Sequence, residues 1–105
     1  MELLSRITAA TVDVLRVLDA VADPVWGLLV IKQSGRPAGT VYPILERLES
    51  AGWVTSGWEE DNARPGPRRR YYELTDEGSA EARNVIADFA AKHRIVASPA
   101  RVVTA

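Results

Sequence analysis

Residues 39–54 read GTVYPILERLESAGWV and carry the pattern of an amphipathic helix. Apolar side chains recur every three or four residues, at Val41, Ile44, Leu45 and Leu48. Gly52 stands where a helix commonly stops, so we expect a helix from about Gly39 to Ala51. Pro43 interrupts the pattern. A proline inside a helix costs ~3 kcal/mol or more, because it removes a hydrogen bond and clashes with the preceding turn. This proline therefore needs a structural or functional reason.

Two helices are predicted before this segment. The first spans about residues 8–20, and its apolar side chains cover more than one face, which indicates two packing partners. The second is expected to begin at Asp23-Pro24, an N-cap followed by proline at the first helical position. It should end near Ser34-Gly35.

A β-hairpin and a fourth helix are predicted after it. Residues 53–58 and 69–74 are rich in β-forming side chains, and the connection EEDNARPGP between them is typical of an open, exposed hairpin tip. Thr75 is expected to cap the fourth helix. Beyond about Val96 the apolar periodicity ends, which suggests a flexible tail over 97–105.

The order helix, helix, helix, hairpin, helix is typical of a winged helix-turn-helix. The predicted fold is mainly α with a small antiparallel β-hairpin. We expect a winged helix-turn-helix DNA-binding region over residues 1–74 and a C-terminal dimerisation helix over 75–96. In this architecture the third helix enters the major groove, and the wing reaches the adjacent backbone or minor groove.

Composition excludes several classes of protein. The chain has 105 residues, which suits one domain, and it has no cysteine and a single histidine, His93. It also lacks a glycine-rich phosphate loop and any cluster of metal ligands, so we expect no enzyme, no metal and no cofactor. No apolar run is long enough to span a membrane and no signal peptide is recognisable, so the expected location is cytoplasmic.

Positive charge is concentrated in one segment. The net charge is −1, but residues 64–70, RPGPRRR, contain arginines and no acid. The local field matters more than net charge for binding a polyanion. The segment is either a DNA-binding surface or a solvated basic loop, and composition does not decide between them.

The sequence resembles the PadR-like transcriptional regulators over roughly residues 10–80. The resemblance rests on GTVYPILERLESAGWV (39–54), on PRRRYYELTDEG (67–78) and more weakly on PVWG (24–27). It departs from many relatives in having Trp26-Gly27-Leu28 where they have His-Gly-Tyr. The resemblance implies a homodimer of the branch with a single C-terminal helix, which packs on the first helix of the partner.

The resemblance also places the third helix as the recognition helix, beginning near Gly39 or Thr40. Pro43 would then end the first turn, with at most one hydrogen bond lost, and its ring would suit a thymine methyl. The alternative is that Pro43 only sets the helix start and that Tyr42 is a packing residue. The predicted DNA contacts before the wing are Arg36, Gly39, Thr40, Tyr42, Pro43 and Arg47.

In the wing, Arg68 and Arg69 are the favoured DNA contacts and Arg64 is a weaker one. Arg70 is the arginine expected to pair with an acid such as Glu59, and Arg69 is expected to point outward. The residues predicted to form the dimer interface are Leu15, Leu18, Val85, Ile86, Phe89 and His93.

The predicted function is that of a homodimeric, sequence-specific regulator of transcription, acting as a repressor on double-stranded DNA. The alternative is a winged-helix protein-interaction module without DNA binding, which Glu46 and Glu49 on the recognition helix favour. Trp26, Trp53 and Trp58 could line a site for a small aromatic effector at the dimer interface, or they could be packing residues.

Overall fold

The computed structural model describes residues 1–60 and 65–103, with side chains as far as His93. Helices and strands alternate along the chain as α1 (Ala9–Asp19), β1 (Val25–Trp26), α2 (Gly27–Ser34), α3 (Ala38–Ser50), β2 (Val54–Trp58), β3 (Arg70–Leu74) and α4 (Asp76–Val103). The fold class is confirmed as mainly α with a small antiparallel sheet in a winged helix-turn-helix arrangement.

The sheet has three antiparallel strands in the order β1-β3-β2, one more than predicted. In β1, Val25 pairs with Tyr72 and Trp26 with Tyr71. A strand of two residues shows no alternation from which it could be predicted. The helix start predicted at Asp23-Pro24 is therefore wrong: that segment leads into a strand, and α2 begins only at Gly27.

Helix α1 lies at the centre of the core. Its N-cap is Thr8, whose hydroxyl accepts a hydrogen bond from the amide of Thr11 at 3.2 Å. The helix packs against α2, α3 and α4, as its broad apolar surface predicts. Leu15 and Leu18 are only 0% and 3% exposed, so their assignment to a dimer interface is wrong. Their surface is already covered by the protein's own core.

Helix α3 begins at Ala38, slightly earlier than expected. Pro43 is consequently the sixth helical residue and lies in the second turn, not at the end of the first. One hydrogen bond, to the carbonyl of Gly39, is absent as a result. The predicted helix end is confirmed: Gly52 has a φ of 85°, and the amides of Gly52 and Trp53 bond back to Glu49 and Leu48 in a Schellman motif.

Helix α4 joins the core through its first turns. Thr75 caps it, as predicted, by accepting a hydrogen bond from the amide of Gly78 at 2.9 Å. The same hydroxyl lies 2.9 Å from the carbonyl of Gly52, which ties α4 to the end of α3. The helix continues to Val103, so the flexible tail is wrong for residues 97–103, and residues 104 and 105 lie outside the described part. Loss of apolar periodicity removes a packing face without stopping a helix.

The buried core unites all four helices and the sheet. Its largest fully buried side chain is Trp53, whose predicted core position is confirmed at 1% exposure. The indole Nε1 of Trp53 donates to the carbonyl of Glu2 at 2.6 Å, which holds the N-terminal segment against the end of α3. The helices within the described residues include none long and apolar enough to cross a membrane. The core consists mainly of Val14, Leu15, Val17, Leu18, Val30, Val41, Ile44, Leu45, Leu48, Trp53, Val54, Tyr72 and Ala82.

Candidate nucleic-acid interface

The two faces of α3 differ sharply in exposure. The apolar stripe that begins at Val41 and ends at Leu48 is at most 3% exposed and is turned into the core. Gly39, Tyr42, Pro43 and Arg47 lie on the other side and are exposed, while Thr40 is half-buried. The sequence therefore placed this set of candidate DNA contacts correctly on the outward face. Its apolar periodicity is what determines that orientation.

Tyr42 is held at the surface by its contact with the start of α2. A Cβ atom added to Gly27 would lie only 3.1 Å from Cε1 and from the hydroxyl oxygen of Tyr42, so the absence of a side chain there leaves room for the ring. The ring is 40% exposed. Tyr42 is thus both a packing residue and an accessible one, and the two alternatives raised by its sequence position do not exclude each other.

Arg36 is engaged within the protein. Its Nε and Nη2 atoms lie 3.0 Å and 2.9 Å from Oδ2 of Asp13, so an ion pair joins α1 to the turn before α3. The Arg36 side chain is 37% exposed and keeps part of its guanidinium accessible. The pairing with Asp13, 23 residues away, was not predicted, since no local pattern encodes it.

The wing arginines have different environments. Arg68 is exposed, and its Nε and Nη2 donate to the backbone carbonyl of Glu59 at 3.3 Å and 3.2 Å, across the base of the loop. Arg69 is half-buried, and its guanidinium lies 3.8 Å from the centroid of the Trp26 ring. The expectation that Arg69 points freely outward is therefore wrong, because β1 places an indole face beneath it. Arg64 lies outside the described residues.

Arg70 joins the wing to α3. Its Nη2 donates to the hydroxyl of Ser56 at 2.6 Å and lies 4.0 Å from Oε2 of Glu49. The Ser56 hydroxyl in turn donates to the same carboxylate oxygen at 2.6 Å. The prediction that Arg70 pairs with an acid is confirmed, but the acid is Glu49 of the recognition helix and not Glu59.

A cleft of about 590 Å³ separates the wing from the start of α3. We call it the wing cleft. Its walls are aromatic and cationic and include Trp26, Tyr42, Trp58, Tyr72, Arg69 and Arg70. Trp58 is 56% exposed, whereas burial raises the pKa of the Tyr72 hydroxyl above its usual value. Of the three tryptophans grouped in the sequence, the structure brings Trp26 and Trp58 together here and places Trp53 in the core.

The second half of α4 carries the remaining candidate interface. Val85 and Ile86 are half-buried against the core. The rings of Phe89 and His93 stack with centroids 4.0 Å apart, and His93 Nδ1 lies 2.9 Å from the Phe89 carbonyl oxygen. Ile7, which the sequence did not single out, lines a shallow depression together with Val85 and Phe89. Its position depends on how the N-terminal segment docks, and no local pattern predicts that.

The described residues contain no group of histidine, cysteine or acidic side chains that could hold a metal ion. Their recognisable chemistry is that of cationic and aromatic groups around an exposed helix face. These groups suit a nucleic-acid interface.

Comparison with solved structures supports the fold. The PcaV transcriptional regulator from Streptomyces coelicolor, solved with its natural ligand, is 22% identical with a TM-score of 0.75, over 90% of this chain and 64% of that one. This chain thus spans less than two thirds of that protein. A PadR-like transcription factor from Bacteroides fragilis is 24% identical with a TM-score of 0.62, over 84% of this chain and 86% of that one. A PadR family transcription regulator from Clostridium difficile is 21% identical with a TM-score of 0.65, over 93% of this chain and 100% of that one.

The family comparison is more specific. No curated protein matches the sequence. The model of the family described as the transcriptional regulator PadR-like family matches residues 14–84, which is more than half of the chain and runs from α1 into α4. This is a family of transcription regulators and not of enzymes, as the sequence predicted. The chain, with its outward recognition-helix face and its arginine-bearing wing, therefore belongs to the PadR-like family of transcriptional regulators.

Proposed function

We propose that the protein is a homodimeric, sequence-specific repressor that binds double-stranded DNA. The recognition segment 39–51 would lie in the major groove, and the wing segment 59–70 would contact the backbone or the minor groove. The observation that carries this proposal is the exposed face of α3 formed by Gly39, Tyr42 and Pro43, whose opposite face is wholly buried.

The chemistry of that face suits DNA. Gly39 lies in the first turn of α3, and a Cβ at this position would have no atom within 4 Å, so a phosphate could come close to the helix N-terminus. Tyr42 carries a hydroxyl that can bond to a phosphate or a base edge. Pro43 offers an apolar ring without a donor, which suits a thymine methyl group. These three residues would combine phosphate binding with base discrimination.

Arg68 and Arg69 would supply sequence-independent affinity. Each phosphate neutralised adds about −0.9 to the slope of log K against log salt concentration. Two wings in a dimer would therefore give a steep salt dependence. Arg36 and Arg47 would add to it from the ends of the same face, with Arg36 oriented by Asp13.

The dimer would form through α4. Phe89 and His93 are at the surface side of this helix, and Ile7 and Val85 extend the apolar area beside them. Two such surfaces related by a twofold axis would place the recognition helices in successive major grooves, ~34 Å apart. A dimer bound across a promoter would exclude polymerase by steric overlap, which makes repression the expected outcome.

A protein-interaction module without DNA binding is the second candidate. It is favoured by the net charge of −1 and by Glu46 and Glu49 on the recognition helix. However, Glu49 is engaged by Ser56 and Arg70, so its charge is largely compensated within the protein. This observation removes one of the two acids on which the alternative depends.

Fluorescence anisotropy would test the proposal. The wild type and Tyr42→Ala are titrated with the DNA upstream of the protein's own gene and with an unrelated duplex, at two salt concentrations. We expect the wild type to prefer its own DNA and Tyr42→Ala to lose that preference while keeping weak, salt-sensitive binding. Absence of binding to either duplex at low salt would favour the interaction module.

A matched pair of arginine variants separates the wing from general charge. Arg68→Ala should weaken binding to all duplexes and flatten the salt dependence. Arg83→Ala removes the same charge from α4, where Arg83 pairs with Asp19 at 3.3 Å. It should leave DNA affinity unchanged. Equal effects of the two variants would contradict a role for the wing.

A further inference from the structure

The wing cleft combines aromatic faces with positive charge in one concave site. Its volume of about 590 Å³ falls within the range of small-molecule sites in proteins, roughly 300–1,000 Å³. Trp26 and Tyr72 line it from the sheet, Tyr42 from α3, and Trp58 from the end of β2. Four aromatic side chains around one cleft favour a flat, apolar occupant.

The two arginines of the cleft are not equivalent. Arg70 is already bonded to Ser56 and paired with Glu49. Arg69 lies over the Trp26 ring, and its Nε atom is buried without a hydrogen-bond partner among the described residues. A buried donor without a partner is uncommon in folded proteins and is often explained by a missing water or ion. Arg69 therefore leaves a positive charge in the cleft for which no carboxylate contact is seen.

We propose that the wing cleft binds a planar aromatic anion, such as an aromatic carboxylate. The carboxylate pairs with the guanidinium of Arg69, and the ring system packs against Trp58 and Tyr42. This site lies within one protomer, between the wing and the recognition helix, and does not require the dimer interface. The aromatic walls and the single unpaired guanidinium select against both cations and simple anions.

The consequence for DNA rests on the function proposed above. Tyr42 and Arg69 belong both to the wing cleft and to the proposed DNA contacts. A ligand that covers Tyr42 and neutralises Arg69 would compete directly with DNA. The anion would then act as an inducer by occupying the DNA-binding face, without a change of conformation.

Isothermal titration calorimetry with a pair of ligands tests the site without DNA. 2-Naphthoate and the neutral 2-naphthamide have nearly the same shape and differ in charge. We expect 2-naphthoate to bind the wild type at least about tenfold more tightly, because a charge-assisted pair replaces a neutral contact. Equal affinities, or no heat with either ligand, would overturn the proposal.

Variants then locate the binding. Arg69→Gln should abolish the preference for 2-naphthoate, and Arg69→Lys should restore much of it, which excludes a loss due to misfolding alone. Trp58→Ala, at an exposed position, should weaken both ligands. Arg83→Gln, on α4, should change neither. A preference for 2-naphthoate that survives in Arg69→Gln would place the anion elsewhere and contradict the assignment.

The two proposals fail in different ways. The calorimetric results establish the site even if the protein binds no DNA, in which case only the proposed function fails. If the protein binds its own upstream DNA and saturating 2-naphthoate does not lower that affinity, the inducer role is wrong. Inorganic phosphate serves as the control anion, and displacement of DNA by phosphate at the same concentration would show simple charge screening and would also overturn that role.

Discussion

The hydroxyl of Ser56 lies 2.6 Å from Oε2 of Glu49, so the first wing strand, β2, is hydrogen-bonded to the C-terminal half of the recognition helix α3. Arg70 of β3 donates to the same hydroxyl at 2.6 Å. Ser56 thereby connects both strands of the wing with α3. The angle between the wing and the recognition helix depends on this connection, and both elements must be placed together to fit one DNA duplex.

Replacing Ser56 by alanine should weaken DNA binding more than it weakens the fold. The variant loses two side-chain hydrogen bonds at a partly exposed site, each worth about 1 kcal/mol or less. We expect a drop of about 1 kcal/mol in the free energy of unfolding, measured by urea titration, and a several-fold loss of DNA affinity, measured by anisotropy. Thr55→Ala, at the exposed neighbouring position, is the control. Equal DNA affinity of the two variants would show that this connection does not orient the wing.

Gly78→Ala should destabilise the protein although alanine is the better helix former. A Cβ at Gly78 would overlap the backbone carbonyl of Trp53, which backbone atoms cannot relieve by rotation. We expect a loss of at least about 2 kcal/mol in the free energy of unfolding. Gly39→Ala is the matched control: its Cβ meets open space, so it should gain about 0.5–1 kcal/mol. The same sign of change in both variants would contradict the close packing of α4 on Trp53.

A negative charge in the proposed dimer surface should separate the protomers. Phe89→Asp introduces a carboxylate beside Ile7 and Val85, whose burial against a partner would then be costly. Sedimentation equilibrium should give a dimer for the wild type and a monomer for the variant, with weaker DNA binding because the two half-sites are no longer linked. Ala87→Asp adds the same charge at an exposed position about 200° away around α4 and should remain dimeric. A dimeric Phe89→Asp would place the interface elsewhere.

Stability should decrease at alkaline pH because of Tyr72. Burial raises the pKa of its hydroxyl above the usual value near 10, so the unfolded chain loses this proton first as pH rises. Tyr72 then has no effect on the pH dependence well below pH 10, and the free energy of unfolding falls from about pH 10 upward, through the folded-state pKa. Tyr72→Phe should make this fall less steep in urea titrations across that range, whereas Tyr71→Phe is the matched control. An unchanged slope in Tyr72→Phe would contradict the raised pKa.

Much of the candidate interface could be predicted from local patterns. The apolar period of α3 alone places Tyr42 and Pro43 on the outward face, because a helix repeats every 3.6 residues. Thr75 and Gly52 mark helix ends through chemistry that involves only their immediate neighbours. β1 could not be predicted in this way. Two residues carry no periodicity, and Val25 is a strand residue only because Tyr72 lies beside it.

The sequence by itself determined the helices, the hairpin, the outward face of α3 and the concentration of arginines in the wing, since each follows from spacing or composition along the chain. Only the tertiary structure decided what each arginine contacts. Arg36 pairs with Asp13, Arg69 lies over Trp26, and Arg70 is joined to Glu49. These partners come together from distant parts of the chain, so they depend on how the elements pack and not on any local pattern. For the same reason Leu15 and Leu18, apolar residues on a helix with more than one apolar face, lie in the core and not at a surface between protomers.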